Sequence, residues 1–242
     1  MFSLLKNWVH NVLDFLADLI FPTSLIEGSL KTLTPDALNI RFPNKIETRN
    51  KNTSALFPYK NRLIKEMIWL FKYKNDARAL NLFANILGER IISESEEFLP
   101  FCAMQKIVLI PIPTSKKRSN ERGLNHTLLL AEKIIELYGR DFFEIAPNIL
   151  TFQKDIKRQT ACKNKKEREE NMKNAFTVSN NKYLSGRYVA VIDDVTTTGA
   201  TFKEALRVLA DSGPSNSPKI IKCFAIAHWT RIKTFVIYLF LL

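Results

Sequence analysis

The sequence predicts an α/β protein, a mostly parallel sheet with flanking helices. Three expected strands carry that reading: Ile107-Val-Leu-Ile-Pro-Ile-Pro113, Tyr188-Val-Ala-Val-Ile192 and Ile220 to Ala227. The first is continuous and stopped by prolines, the pattern of a strand buried on both faces of a parallel sheet. Helical periodicity lies between the runs, as in Leu128 to Tyr138, which Gly139 closes. Strands alternating with helices build βαβ units and hence a parallel sheet.

The elements follow in chain order. Met1 to Phe21 reads as an amphipathic helix with Leu5, Trp8, Val12, Phe15, Leu16 and Leu19 on its apolar side. Asp14 and Asp18 interrupt it, and no small-residue cleavage site follows, so a signal peptide is not expected. From Pro22 to Asn61 the pattern dissolves into Pro, Thr, Asn and Lys, a loose linker or degenerate small module. Asn61 to Ile92 has helical spacing in Leu63, Ile64, Met67, Leu70 and Phe71, then Leu80, Phe83, Ile86 and Leu87. A basic loop, Thr114 to Arg122, follows the first strand, and Phe142 to Phe152 holds room for another strand. Residues 153–175 are charged and polar without a steady period. The strand from Tyr188 runs into an acidic, Thr-rich turn and a helix to Ala210. Phe235 to Leu242 is an apolar octet, far short of the roughly 20 residues that span a bilayer, so a buried last strand or a partner contact is expected. The expected organisation is an N-terminal helix and module over 1–60, an α/β domain over 61–227 and an apolar tail over 228–242.

Composition narrows the class. The chain has 242 residues, 46% hydrophobic and 25% charged, which suits a globular domain with an appendage and excludes wholesale disorder. The three cysteines, Cys102, Cys162 and Cys223, are scattered, so neither a disulfide framework nor a local metal knuckle is present, and a reducing cytoplasm is the natural setting. They read as small buried apolar residues. The net charge is +12, but it is not spread evenly. Residues 151–190 hold ten basic and four acidic side chains, a net +6, which is half the total.

The strongest chemical signal is Val191-Ile-Asp-Asp-Val-Thr-Thr-Thr-Gly-Ala-Thr201. A buried strand delivers two carboxylates, Asp193 and Asp194, to its C-terminal end, where open α/β sheets bind ligands. A short turn of Thr196, Thr197, Thr198 and Gly199 then opens a helix at Ala200 and Thr201. Exposed N–H groups and the positive helix end make an anion site, to which hydroxyls add donors. The carboxylates accept from sugar hydroxyls, so the fitting ligand holds a vicinal diol near a phosphate, as a ribose 5-phosphate does.

This segment closely resembles the phosphoribosyl pyrophosphate (PRPP) motif of type I phosphoribosyltransferases. The resemblance implies that Asp193 and Asp194 are the catalytic pair holding the ribose hydroxyls, and that Thr196, Thr197, Thr198, Gly199, Ala200 and Thr201 hold the 5-phosphate. Purine-salvage members carry an aspartate where this chain has Thr197, which argues against a hypoxanthine-guanine acceptor. Ile110-Pro-Ile-Pro113 followed by Glu121-Arg-Gly-Leu-Asn125 resembles the ComF, or late competence, family. Glu167-Arg168, Asn171, Phe176 and Leu70-Phe-Lys-Tyr-Lys74 are similar to it too. The likeness covers roughly residues 57–227 and implies the type I phosphoribosyltransferase fold, a cytoplasmic location and a link to DNA uptake and natural transformation.

The resemblance makes the loop with Thr114, Ser115, Lys116, Lys117, Arg118 and Arg122 a pyrophosphate loop, where basic groups neutralise a leaving group; otherwise it is a solvated basic turn. Lys154, Lys157, Arg158, Lys163, Lys165, Lys166 and Arg168 are either an electrostatic funnel for PRPP, a groove for single-stranded DNA, or a solvated helix paired with Glu167, Glu169 and Glu170. Only Phe152 and Phe176 flank that cluster, few aromatics for stacking on bases. His126 reads as a helix-start residue rather than a catalyst, and His10 and His228 have no role. Mg²⁺ is expected through PRPP oxygens, with Asp193 and Asp194 as the protein donors. Family members commonly carry a small zinc module of paired cysteines after a Phe-Pro. Here Phe21-Pro22 is kept but residues 23–60 contain no cysteine, so zinc is expected to be absent. Two functions stay open: a phosphoribosyltransferase of unnamed acceptor, and a non-catalytic PRPP-sensing accessory that binds single-stranded DNA in competence.

Overall fold

The computed structural model describes residues 32–42, 46–47, 50–102, 105–114, 125–153, 165–179, 181–211 and 217–229. The expected helix over 1–21 and the 235–242 tail lie outside them.

α1 (Pro35–Arg41) starts at Thr34, whose side chain accepts from the Ala37 N–H, and it buries Leu38. β1 (Ile46–Glu47) and β2 (Thr53–Pro58) follow. The helical spacing over 61–92 resolves into two helices. α2 (Arg62–Trp69) is capped by Asn61, and α3 (Ala77–Ser95) by Asp76, which accepts from the N–H groups of Arg78 and Ala79. Between them Leu70–Lys74 forms a π-helical turn, ended by Asn75 in the left-handed region at φ 49°. Then come β3 (Ile107–Pro111), α4 (His126–Tyr138), β4 (Phe143–Ile145) and β5 (Leu150–Phe152). α5 (Lys165–Met172), β6 (Phe176–Val178), β7 (Tyr188–Thr196), α6 (Ala200–Ala210) and β8 (Ile220–His228) complete the described chain.

Six strands form one sheet in the order β1-β2-β8-β7-β3-β4. β1 runs antiparallel to β2, and the other five strands are parallel. The predicted α/β class with a mostly parallel sheet is therefore the observed one, and the architecture is phosphoribosyltransferase-like. Two details differ from expectation. Thr53–Pro58 is a sheet strand, pairing Ala55 with Ala225, so the sheet reaches into the segment read as module or linker and begins before residue 61. The region 142–152 holds two strands, not one: β4 extends the main sheet, while β5 pairs antiparallel with β6 in a separate two-stranded sheet.

Strand alternation divides the core. Leu109, Tyr188, Ala190, Ile192, Phe224 and Ile226 pack with the α2–α3–α4 side. Val108, Ile110, Val189, Val191, Cys223 and Ala225 pack with Phe202, Ala205 and Leu209 of α6 and with Phe176 and Met172. The helix layer is tight where α3 meets α4. Gly88 lies under the Tyr138 ring, where an added Cβ would come within 2.2 Å of Cε2. Tyr138 donates its hydroxyl to the Asn85 carbonyl at 2.7 Å.

The connections locate a crevice. β3 passes through α4 to β4 on one side, and β7 passes through α6 to β8 on the other. Strand order therefore reverses between neighbours β3 and β7, and ligands of open parallel sheets bind outside the carboxyl ends at such a point. Among the described residues no helix is long and apolar enough to cross a membrane.

Candidate functional site

The crevice between β3 and β7 is where the sequence put its chemistry. β7 keeps hydrogen-bonding past its apolar stretch: Asp193 lies opposite Ala225, Val195 opposite Ala227 and Thr196 opposite His228. The acidic pair therefore stands on a rigid strand rather than a loop. The two carboxylates are partly exposed and differently held. Asp193 accepts from the Asp194 N–H at 2.8 Å. Asp194 Oδ2 meets Lys72 Nζ at 2.8 Å. Period-two alternation explains the division. Asp193 continues the side of Val189 and Val191, where burial and the nearby Asp193 charge push the Cys223 thiol well up. Asp194 continues the side of Ala190 and Ile192, which α2 and the π-helical turn cover.

The turn follows at once. Gly199 caps α6 with φ 75° and ψ 7°, a left-handed conformation that L side chains rarely adopt. Nothing lies within 4 Å of where its Cβ would be, so the backbone, not crowding, calls for glycine. Thr198 Oγ1 accepts from the Ala200 N–H at 3.3 Å. Thr197 Oγ1 is buried without a hydrogen-bond partner, a polar group left over at the start of a helix whose first-turn N–H groups have no intrahelical acceptor. A phosphate there would use both.

The wall across the crevice comes from β3. The Ile112 N–H donates to the Ile192 carbonyl at 2.8 Å, which ties the exit of β3 to β7, and Thr114, two residues on, is half-buried. Asn125, the end of the Arg-Gly-Leu-Asn signature, caps α4 by accepting from Leu128 N–H. The Thr127 hydroxyl closes the same joint with the Ile112 carbonyl at 2.7 Å. His126 is buried at the first position of α4 with its ring edge-on to Phe71, centroids 5.5 Å apart, as suits a helix-start residue.

Asp193, Asp194, Thr196, Thr197, Thr198, Gly199, Ala200 and Thr201 thus share one strand end and turn. Ser115, Lys116, Lys117, Arg118 and Arg122 lie outside the described residues, as do Lys154, Lys157, Arg158 and Lys163. Lys165, Lys166 and Arg168 fall on α5, where Lys166 is exposed. The flanking aromatics are not open platforms. Phe176 is buried and packs on Phe152 at 4.9 Å.

Two residues enter the site that sequence reasoning left out. Lys72 was visible only as part of Leu70-Phe-Lys-Tyr-Lys74, because its partner lies far away in the chain. His228 ends β8 beside Thr196. Burial holds its pKa below the usual 6.5. The nearby Thr197 backbone opposes that shift without cancelling it, and no hydrogen bond of ordinary geometry reaches Nδ1. Next to it the Tyr59 and Trp229 rings, 5.5 Å apart, close the β2–β8 corner.

The arrangement can hold a phosphate at the turn and hydroxyls at the acidic pair. As a magnesium site it offers two carboxylates and no more: among the described residues no group of three His, Cys, Asp or Glu converges. Two hard oxygen donors fit a cation that takes its other ligands from substrate and water.

No family model matches the chain. It is 31% identical over 167 residues to the competence protein ComFC of Bacillus subtilis, an alignment covering 69% of this chain and 61% of that one. Competence protein F of Haemophilus influenzae is 34% identical over 109 residues, 43% of this chain and 44% of that protein. The competence protein ComFC of Streptococcus pneumoniae is 27% identical over 174 residues, 72% and 67% of the two chains. The alignments thus span less than two thirds of the first two relatives. With the Pro-rich strand, the Asn125 cap and the acidic turn placed around one crevice, the chain is similar to these competence proteins, and the three relatives support the ComF family.

Proposed function

We propose that this chain binds PRPP with Mg²⁺ at the β7–α6 junction and acts as a phosphoribosyltransferase-like protein of the cytoplasm, serving competence and DNA uptake. The carrying observation is the placement of Asp193 and Asp194 at the switch point, directly ahead of a turn that Gly199 opens into α6. The relatives bear competence names, which supports the biological setting.

In this reading the Thr196–Thr201 turn holds the 5-phosphate and the acidic pair holds the ribose hydroxyls. Asp193 and Asp194 are the chain's oxygen donors towards Mg²⁺, which would neutralise pyrophosphate charge when bound. In transfer, the bond from C1 to pyrophosphate oxygen breaks and its electron pair leaves with pyrophosphate. A nitrogen nucleophile forms the new bond to C1 and releases its proton to solvent. The two carboxylates favour the positive charge that develops on the sugar, and the Thr114–Arg122 loop stabilises the leaving group. The second reading is a PRPP sensor without turnover that also binds single-stranded DNA, favoured by the net +6 of residues 151–190.

The test is calorimetric titration of PRPP with Mg²⁺ into the wild-type chain and the double variant Asp193→Ala/Asp194→Ala. Heat in the first and none in the second supports the site. Equal heats, or none in either, refute it. Pyrophosphate release with an acceptor separates the transferase from the sensor. The absence of zinc is also proposed, and metal analysis finding one zinc per chain would refute it.

A further inference from the structure

The π-helical turn Leu70–Lys74 is a conformation that proteins use sparingly and often at functional sites. Its residues point in opposite directions. Leu70 and Phe71 are buried, with Phe71 against His126 at the start of α4. Lys72 projects to the carboxyl end of β7, where its ammonium meets Asp194. An ammonium has three donors, and Asp194 engages one of them. The lysine and aspartate side chains are 17% and 21% exposed, so the pair is sheltered yet open to the crevice.

We propose that Lys72 is a ligand-binding residue of this site. Its ammonium stays on Asp194 and gives its other donors to the ribose hydroxyl and diphosphate oxygens next to C1. This rests on the PRPP reading and adds to it a residue from outside both the acidic turn and the basic loop. The geometry favours the C1 end, because Lys72 stands with the acidic pair and not with the Thr196–Thr201 turn that takes the 5-phosphate. It also gives the π-helical turn a purpose. One turn braces α4, which follows the β3 loop, and presents a cation to β7, so both walls of the crevice are set by the same five residues.

The test compares PRPP with Mg²⁺ and ribose 5-phosphate as probes on the wild-type chain, Lys72→Met and Lys72→Arg. A charge-assisted hydrogen bond makes the expected loss for Lys72→Met about tenfold or more in PRPP affinity. Ribose 5-phosphate, lacking the diphosphate, should lose less than about threefold by the same scale. Lys72→Arg should recover part of the PRPP loss. A purely structural ion pair would weaken both probes alike, or neither, and either result overturns the assignment. A measurement without variants is protection of the native Lys72 amine from an acylating reagent by saturating PRPP, read by peptide mass. Protection of Lys72 beyond that of Lys74 supports the proposal, and none overturns it. A wild-type chain that gives no PRPP heat defeats the PRPP reading itself and this assignment with it, which is distinct from a wild type that binds and a Lys72→Met variant that binds equally well.

Discussion

Asp193 and Asp194 are neighbours in the chain and belong to opposite sides of the sheet. Asp193 accepts from the backbone N–H of its neighbour Asp194 and lies on the α6 side, near Cys223. Asp194 lies on the helical side and is fixed by Lys72, from an element that shares no local sequence with it. The difference shows how a strand end can draw on both layers of a fold at once. The α6 side supplies the Thr- and Gly-rich turn, and the α2–α3 side supplies a cation.

The comparison can be broken at the core first. Phe224 is fully buried on the helical side, and Phe224→Ala should cost ~3–5 kcal/mol in urea unfolding. Its neighbour Cys223 is fully buried on the other side, and Cys223→Ala should cost only about 1 kcal/mol. Comparable losses would show that the size of the buried side chain does not set the cost on either side of β8. Next comes the turn. Gly199→Ala meets no neighbour but must hold φ 75°, so a loss of ~1–2 kcal/mol is expected, with weaker phosphate binding. An unchanged midpoint would mean that the turn relaxes out of the left-handed region. A smaller effect, about 1 kcal/mol, is expected for Asp194→Ala, which strips a sheltered lysine of its carboxylate.

The smallest effect is a pH dependence. His228 has a folded pKa below its ordinary 6.5, so the unfolded chain binds more protons there. Stability contributed by the neutral ring is present above about pH 6.5 and is lost as pH falls towards the folded value. His228→Gln should flatten that limb of a thermal-melt series, and an unaltered limb would place the acid sensitivity elsewhere.

Much of this was legible because it is local. Ile107–Pro111, Tyr188–Ile192 and the stretch from Cys223 to Ala227 are buried on both faces, and their unbroken apolar character says so. The acidic pair, threonines and Gly199 are contiguous, so strand, turn and helix start could be read as one unit. β2 was not legible. Thr53, Ser54 and Ala55 look like linker, and their strand comes from pairing with β8, while Ser54 satisfies its hydroxyl on Glu94 at 2.7 Å. The π-helical turn was hidden because Leu63 to Leu87 keeps an apolar rhythm across it; only Asn75-Asp76 marks the break. Lys72 and His228 act through partners that the fold, not the sequence neighbourhood, brings close.

The central claim is that one ligand meets both sides of the strand end. A crystal structure of the chain with PRPP and Mg²⁺ tests it most directly. The account predicts the 5-phosphate in the Thr196–Thr201 turn, with ribose hydroxyl oxygens within hydrogen-bonding reach of both Asp193 and Asp194. A ligand bound elsewhere, or one that touches the turn and leaves both carboxylates unengaged, would contradict it.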